Sequence, residues 1–236
     1  MKQILPTLLA TAAILAPTAL HAEAKLPPTA DEQKALTPKA VLADLMAGNK
    51  RYVAGKTSDP NTTPRIEVTS TGQFPKAYIL SCVDSRVPVE LVFDQGIGDI
   101  FVGRVAGNIE STEQLGSMEF ATKAAGSKLV MVLGHEACGA VKGACDGVEL
   151  GNLTDLLDEI QPAVKAVEGH EEEGRNSKNK KFVADVVEKN VHLTVADLRK
   201  RSPVMAEMEK NGEIMIVGAL YSLQDGSVTL LDIPKP

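Results

Sequence analysis

The chain is poor in aromatic residues: its 236 positions include no tryptophan, three tyrosines and five phenylalanines. It also lacks an excess of positive charge, because 31 acidic residues outnumber 25 basic ones and leave a formal net charge of −6. A mildly acidic chain with few stacking side chains argues against nucleic acid as a partner. Past the first two dozen residues no run is apolar enough to cross a bilayer. Gly96-Ile97-Gly98 lacks the third glycine of a dinucleotide-binding loop, and no strand runs directly into it. Cys-x-x-Cys is absent, which disfavours a thiol redox protein. Cysteine itself is scarce and odd in number, as Cys82, Cys138 and Cys145. Pairing into disulfides therefore leaves at least one thiol free or bound to something else.

What is present begins with an N-terminal export pattern. Lys2 gives a short positive start, Ile4 to Leu20 is largely apolar, and Ala22-Glu23-Ala24 supplies small residues for cleavage. Residues 1–24 are thus expected to be a secretory signal cut after Ala22 or Ala24, placing the mature chain in the periplasm or outside the cell. The alternative is a retained N-terminal anchor. Residues 25–36 read as a flexible leader, and 37–236 as one catalytic domain with a sizeable core.

Within that domain Thr37-Pro38 has the form of a cap and first helical position, and Val41, Leu42, Leu45 and Met46 follow at helical spacing. Thr57 to Pro75 is polar and proline-marked, and reads as a loop. Strands are expected over Lys76–Val83, Ile100–Val105, Lys128–Gly134, Ile214–Tyr221 and, after the Asp225-Gly226 turn, Val228–Leu231. Helices are expected from Ser111 to about Ala125, over Cys138–Cys145, from Asn152 to about Val167, over Phe182–Lys200 and from Ser202-Pro203 to Gly212. The charged stretch Glu168–Lys181 reads as a solvated loop. Strands alternating with helices predict an α/β fold. Its central sheet is mostly parallel, with four parallel strands and an antiparallel edge, flanked by helices and preceded by an N-terminal helical arm.

Two short segments carry the chemistry: Cys82-Val83-Asp84-Ser85-Arg86 and His135-Glu136-Ala137-Cys138-Gly139. Cys82 closes one expected strand, His135 follows another, and Cys138 opens the next helix. In an open parallel sheet such strand ends meet at one rim where the strand order reverses. Two thiolates and one imidazole are a recognised catalytic zinc set, with the fourth position open. Cys145 as a fourth ligand would instead close the site, and a Cys138–Cys145 disulfide would abolish it. Asp84 and Arg86 read either as a surface ion pair or as a dyad beside the metal. In the second case Arg86 holds Asp84, and Asp84 accepts a hydrogen bond from zinc-bound hydroxide. A metal that acidifies its water makes that nucleophile available near neutral pH.

Cys82-Val83-Asp84-Ser85-Arg86-Val87-Pro88 together with His135-Glu136-Ala137-Cys138-Gly139-Ala140 resembles the paired signature of the β-class carbonic anhydrases. Gly72-Gln73-Phe74-Pro75, Phe93-Asp94-Gln95-Gly96, Gly107-Asn108 and Gly48-Asn49-Lys50-Arg51-Tyr52 extend the resemblance from about Leu36 to Leu231. It implies reversible hydration of carbon dioxide to bicarbonate and a proton. By the same resemblance Cys82, His135 and Cys138 hold Zn2+, and Asp84 and Arg86 form the catalytic dyad. Gln73 matches a substrate-orienting amide that reaches a neighbouring subunit's site, and Phe101 an apolar wall of the substrate pocket. The resemblance further implies a homodimer or dimer of dimers with N-terminal helices laid over the partner. Phe120 stands where some members have tyrosine. With no tryptophan, the bicarbonate inhibition pocket that some members build around one is absent in that form. Two other readings use the same residues: a hydrolase of carbonyl sulfide or carbon disulfide, and a non-catalytic zinc- or bicarbonate-binding protein.

Overall fold

The computed structural model describes residues 26–58 and 62–234, so the expected signal at 1–24 lies outside the described residues. Five strands form one sheet: β1 (Ala77–Ser81), β2 (Ile100–Arg104), β3 (Leu129–His135), β4 (Met215–Tyr221) and β5 (Val228–Leu230). Their order is β2-β1-β3-β4-β5, parallel throughout except for the antiparallel β4–β5 pair. The fold class expected from the sequence is therefore the one observed. β1 and β3 are buried at every position, as uninterrupted apolar runs covered on both faces require.

Helices cover both faces. On one side α2 (Pro38–Val53) and the short α4 (Val89–Val92) bring Val41, Leu45, Val89 and Val92 onto Ile79, Met131 and Leu133. On the other, α5 (Thr112–Glu119), α9 (Lys180–Arg201) and α10 (Pro203–Lys210) pack Met118, Val191, Val195, Leu198 and Met205 onto Leu80, Val130 and Val132. A third cluster joins α6 (Gly139–Asp146), α7 (Asn152–Asp158), α8 (Gln161–Ala166) and α9, and it includes Cys82 and Cys138. Thr37 caps α2 by accepting from Ala40 N–H at 3.2 Å, with Pro38 behind it. The buried Asn49 of α2 donates to Val92 O at 3.1 Å and Gly226 O at 2.8 Å and accepts from Val228 N–H at 2.9 Å, tying the arm to the last hairpin.

Three expectations need correction. The leader contains α1 (Ala30–Ala35), started by a Thr29/Glu32 capping box. Its buried Gln33 donates to Pro75 O and Ala125 O, each at 2.8 Å, so the segment is fastened to the body. The expected 57–75 loop contains α3 (Thr62–Thr69), anchored by the buried Arg65, which pairs with Asp99 at 3.0 Å. The helix expected from Asn152 to Val167 is two, because Pro162 has no N–H to donate back and its ring clashes with the preceding turn. The helix expected from Ser111 to about Ala125 is present, its last turn a π-turn over Phe120–Ala124 closed by Ala125 N–H to Phe120 O at 2.9 Å. The 168–181 stretch is solvated at Glu171 to Glu173, yet Arg175 donates to Val164 O and Val167 O at 2.7 and 2.6 Å and lies 4.7 Å over the Phe182 ring.

Candidate metal centre

β1 and β3 are neighbours, whereas β2 follows β1 in the chain on its other side. The strand order therefore reverses between β1 and β3, and their carboxyl ends form the crevice in which α/β proteins collect ligands. Cys82 leaves β1 there, and His135 is the last residue of β3. Glu136 N–H then donates to Tyr221 O at 3.1 Å, and its carboxylate accepts from Leu223 N–H at 3.0 Å, fixing the exit from β3. Ala137 reverses the chain with a φ of 52°, and Cys138 follows as the N-terminal cap residue of α6.

This brings Cys82, His135 and Cys138 together with their ligand atoms all within 4.8 Å of one another. All three are buried. The two sulfurs stand 3.9 Å apart. Two sulfurs about 2.3 Å from one tetrahedral centre are separated by about 3.8 Å, so the pair fits zinc. His135 Nδ1 lies 2.9 Å from Glu136 O, which fixes the proton on that nitrogen and leaves Nε2 with a bare lone pair. Nε2 is buried without a hydrogen-bond partner. A buried nitrogen acceptor with nothing to accept from, facing two sulfurs, is the arrangement a cation satisfies.

Electrostatics agree with that assignment. The Cys82 thiol is drawn down, chiefly by the Cys138 thiol that donates to it, with further help from His135 and the Gly107 N–H at 3.4 Å. The Cys138 thiol is pushed up by the Cys82 sulfur and by burial, against the pull of the Val141 and Ala140 N–H groups at the start of α6. The pair thus carries one negative charge readily and resists a second. A divalent cation held by Cys82 and Cys138 would reverse the second effect and stabilise both thiolates.

Asp84 and Arg86 stand at the cluster's edge. Arg86 Nε and Nη2 donate to Asp84 Oδ1 and Oδ2 at 2.9 and 2.7 Å, and Arg86 N–H donates to Oδ1 at 2.9 Å. These bonds hold the carboxyl well below the usual carboxylate range, the Arg86 side chain contributing most. Asp84 Oδ2 is 3.8 Å from His135 Nε2. The acid is therefore a fixed acceptor beside the ligands rather than a remote surface charge.

Two expected site residues lie elsewhere in this chain. Gln73 is exposed in the segment before β1, at the strand end opposite the cluster. Phe101 sits on β2 opposite Tyr78, four residues short of Cys82, with its ring 6.0 Å from that of the exposed Phe120. Cys145 is on α6 outside the three-residue cluster, and burial pushes its thiol up to about 11. Cys82, Cys138 and Cys145 are all free thiols, so the Cys138–Cys145 disulfide is not formed. Two supports escaped the sequence reading. Asn190 of α9 donates to Gly107 O at 2.8 Å and so holds the peptide that faces Cys82, and Arg104 donates to the main chain of the Cys82 loop. Gly107 has a φ of 75°, and a Cβ there would stand 2.5 Å from Ile160 Cδ1, so the position demands glycine.

Residues 77–228 match the family model described as carbonic anhydrase. The chain is 37% identical over 201 residues to carbonic anhydrase 2 of Mycobacterium tuberculosis, covering 83% of this chain and 93% of that protein. Among solved structures, the β-carbonic anhydrase CafA of Aspergillus fumigatus superposes with a TM-score of 0.63 at 24% identity, over 83% of this chain and 92% of that one. A tetrameric β-carbonic anhydrase of Sordaria macrospora does so with a TM-score of 0.60 at 23% identity, over 79% and 91%.

Proposed function

This chain belongs to the carbonic anhydrase family, and from that premise we propose that it is a zinc-dependent carbonate dehydratase, interconverting carbon dioxide with bicarbonate and a proton. The observation that carries the reading is the Arg86-held carboxylate of Asp84, 3.8 Å from the unpartnered Nε2 of a buried Cys82/His135/Cys138 cluster. Zinc held by Cys82, His135 and Cys138 would supply an acidified water as nucleophile near neutral pH. Cys82 and Cys138, as thiolates, offset the charge of the dication, and His135 contributes a neutral nitrogen. Asp84, kept ionised by Arg86, accepts a hydrogen bond at Oδ2 and orients the group that donates it. Carbon dioxide is small and uncharged, so its pocket needs apolar walls and few donors.

Gln73 and Phe101 fit this scheme as residues lent to a second copy of the chain, since neither approaches the cluster of its own. We therefore place them at the substrate site of a homodimer or dimer of dimers. The pattern in residues 1–24 supports export, testable by N-terminal sequencing of the mature protein, which should begin at Glu23 or Lys25. The decisive experiment is stopped-flow hydration of carbon dioxide by zinc-loaded protein at pH 8 and above. A rate clearly above buffer, lost on chelation, is expected. Full zinc occupancy with no such rate would end the proposal.

A further inference from the structure

Arg104 closes β2 beside the cluster and belongs to neither the ligand set nor the dyad. The last main-chain bond between β1 and β2 runs from Val105 N–H to Ser81 O at 3.1 Å. Beyond it the chain leaves the sheet through Cys82, Val83 and Asp84. Arg104 extends the ladder with its side chain, Nε donating to Cys82 O at 2.9 Å and Nη2 to Asp84 O at 2.6 Å. A guanidinium holds its donors in one rigid plane, so two carbonyls on the same fork are fixed relative to each other. Those carbonyls belong to a sulfur ligand and to the carboxylate next to it. Between them stands Val83, 55% exposed, so core packing does not hold that residue. Asp84 O also accepts from Val87 N–H at 3.1 Å, which shapes the following turn but does not reach Cys82. Arg86 thus fixes the Asp84 side chain, while Arg104 fixes its main chain.

We infer that Arg104 is a positioning residue that sets the spacing of Cys82 and Asp84, and with it the place of the Asp84 carboxylate relative to the Cys82/His135/Cys138 cluster. The inference rests on reading Cys82, His135 and Cys138 as the metal ligands. An arginine that is merely a solvated surface charge would contribute little and would be replaceable.

The test compares zinc-loaded wild type with Arg104→Gln and Arg104→Lys. Amide hydrogen exchange is read for the 82–88 segment, with β3 as internal reference, alongside kcat, KM and the visible spectrum of cobalt-substituted protein. Arg104→Gln should keep its metal and the protection of β3. Exchange in 82–88 should rise about tenfold, kcat should fall about 10- to 100-fold with KM nearly unchanged, and the cobalt bands should shift. Arg104→Lys, which retains the charge without the planar fork, should recover part of each change. Exchange, kcat and spectrum all within twofold of wild type in Arg104→Gln would overturn the inference. If wild type binds metal but does not hydrate carbon dioxide, the proposed function fails, while exchange and the cobalt spectrum still decide the role of Arg104. Should both variants misfold, the wild-type Arg104 Nε–H answers in an NMR exchange measurement. Exchange about tenfold slower than that of solvated arginines is expected, and exchange as fast as theirs would overturn the inference.

Discussion

At the scale of single residues, Ala137 reaches a left-handed φ of 52° so that His135 and Cys138 face one point. An L-residue with a Cβ pays roughly 1–2 kcal/mol for that conformation. Ala137→Gly should therefore stabilise the protein by about 0.5–1 kcal/mol, net of glycine's freedom in the unfolded chain, and raise the thermal midpoint by a few degrees without changing metal content. Asp84 makes the opposite case, where the cost falls on activity. Asp84→Asn preserves size but removes the charge that Arg86 holds in place, so kcat should drop about 10²- to 10⁴-fold while zinc per chain, measured by elemental analysis, stays the same. The depressed carboxyl also fixes a pH sign. Because its folded-state pKa lies below the unfolded value near 3.9, the bonds to Arg86 are fully present above that value and weaken only as pH falls below it. A loss of activity between pH 8 and pH 6 would accordingly belong to another group.

At the scale of elements, α9 reaches the sheet through glycines. Added Cβ atoms at Gly134 and Gly218 would stand 2.6 and 2.7 Å from the methyls of Val191, so this helix is seated in a notch shared by β3 and β4. Gly134→Ala should cost about 1–3 kcal/mol in denaturant unfolding, and it should also loosen metal binding, because the displaced strand ends in His135. The sheet was legible because β1, β3 and β4 are apolar runs of strand length, and α2, α9 and α10 because their caps and spacing are local signals. α1 carried a local signal too, since Thr29 and Glu32 have capping-box spacing, but the surrounding Pro27, Pro28 and charges read as a leader. α3 has no apolar stripe to betray it; the buried Arg65–Asp99 pair holds it, and an ion pair 34 residues apart leaves no pattern in sequence. The candidate metal ligands and dyad stood out because each half lies within five consecutive residues. Arg104 and Asn190 did not, because they bind backbone carbonyls, which every residue offers and none advertises.

At the scale of the whole molecule, the cluster joins chain segments 56 positions apart, from Cys82 to Cys138 through two strands and a helix start. A cation gripped by both segments in the folded state alone stabilises that state, by about 4 kcal/mol when its concentration is a thousandfold above its dissociation constant. Chelation should lower the thermal midpoint by several degrees and restore it on adding zinc back; an unchanged midpoint would show that the three residues hold no ion. The sheet itself ends on β2, whose Ile100, Phe101 and Val102 are only half-buried while Phe120 beside them is 57% exposed. If the proposed second copy covers that margin and lends Gln73 and Phe101 across it, catalytic power becomes a collective property. Progressive dilution would then make turnover per chain decline before any unfolding signal moves, and a mixture of two inactive variants, one crippled at Gln73 and the other at Asp84, would regain activity by sharing their intact halves.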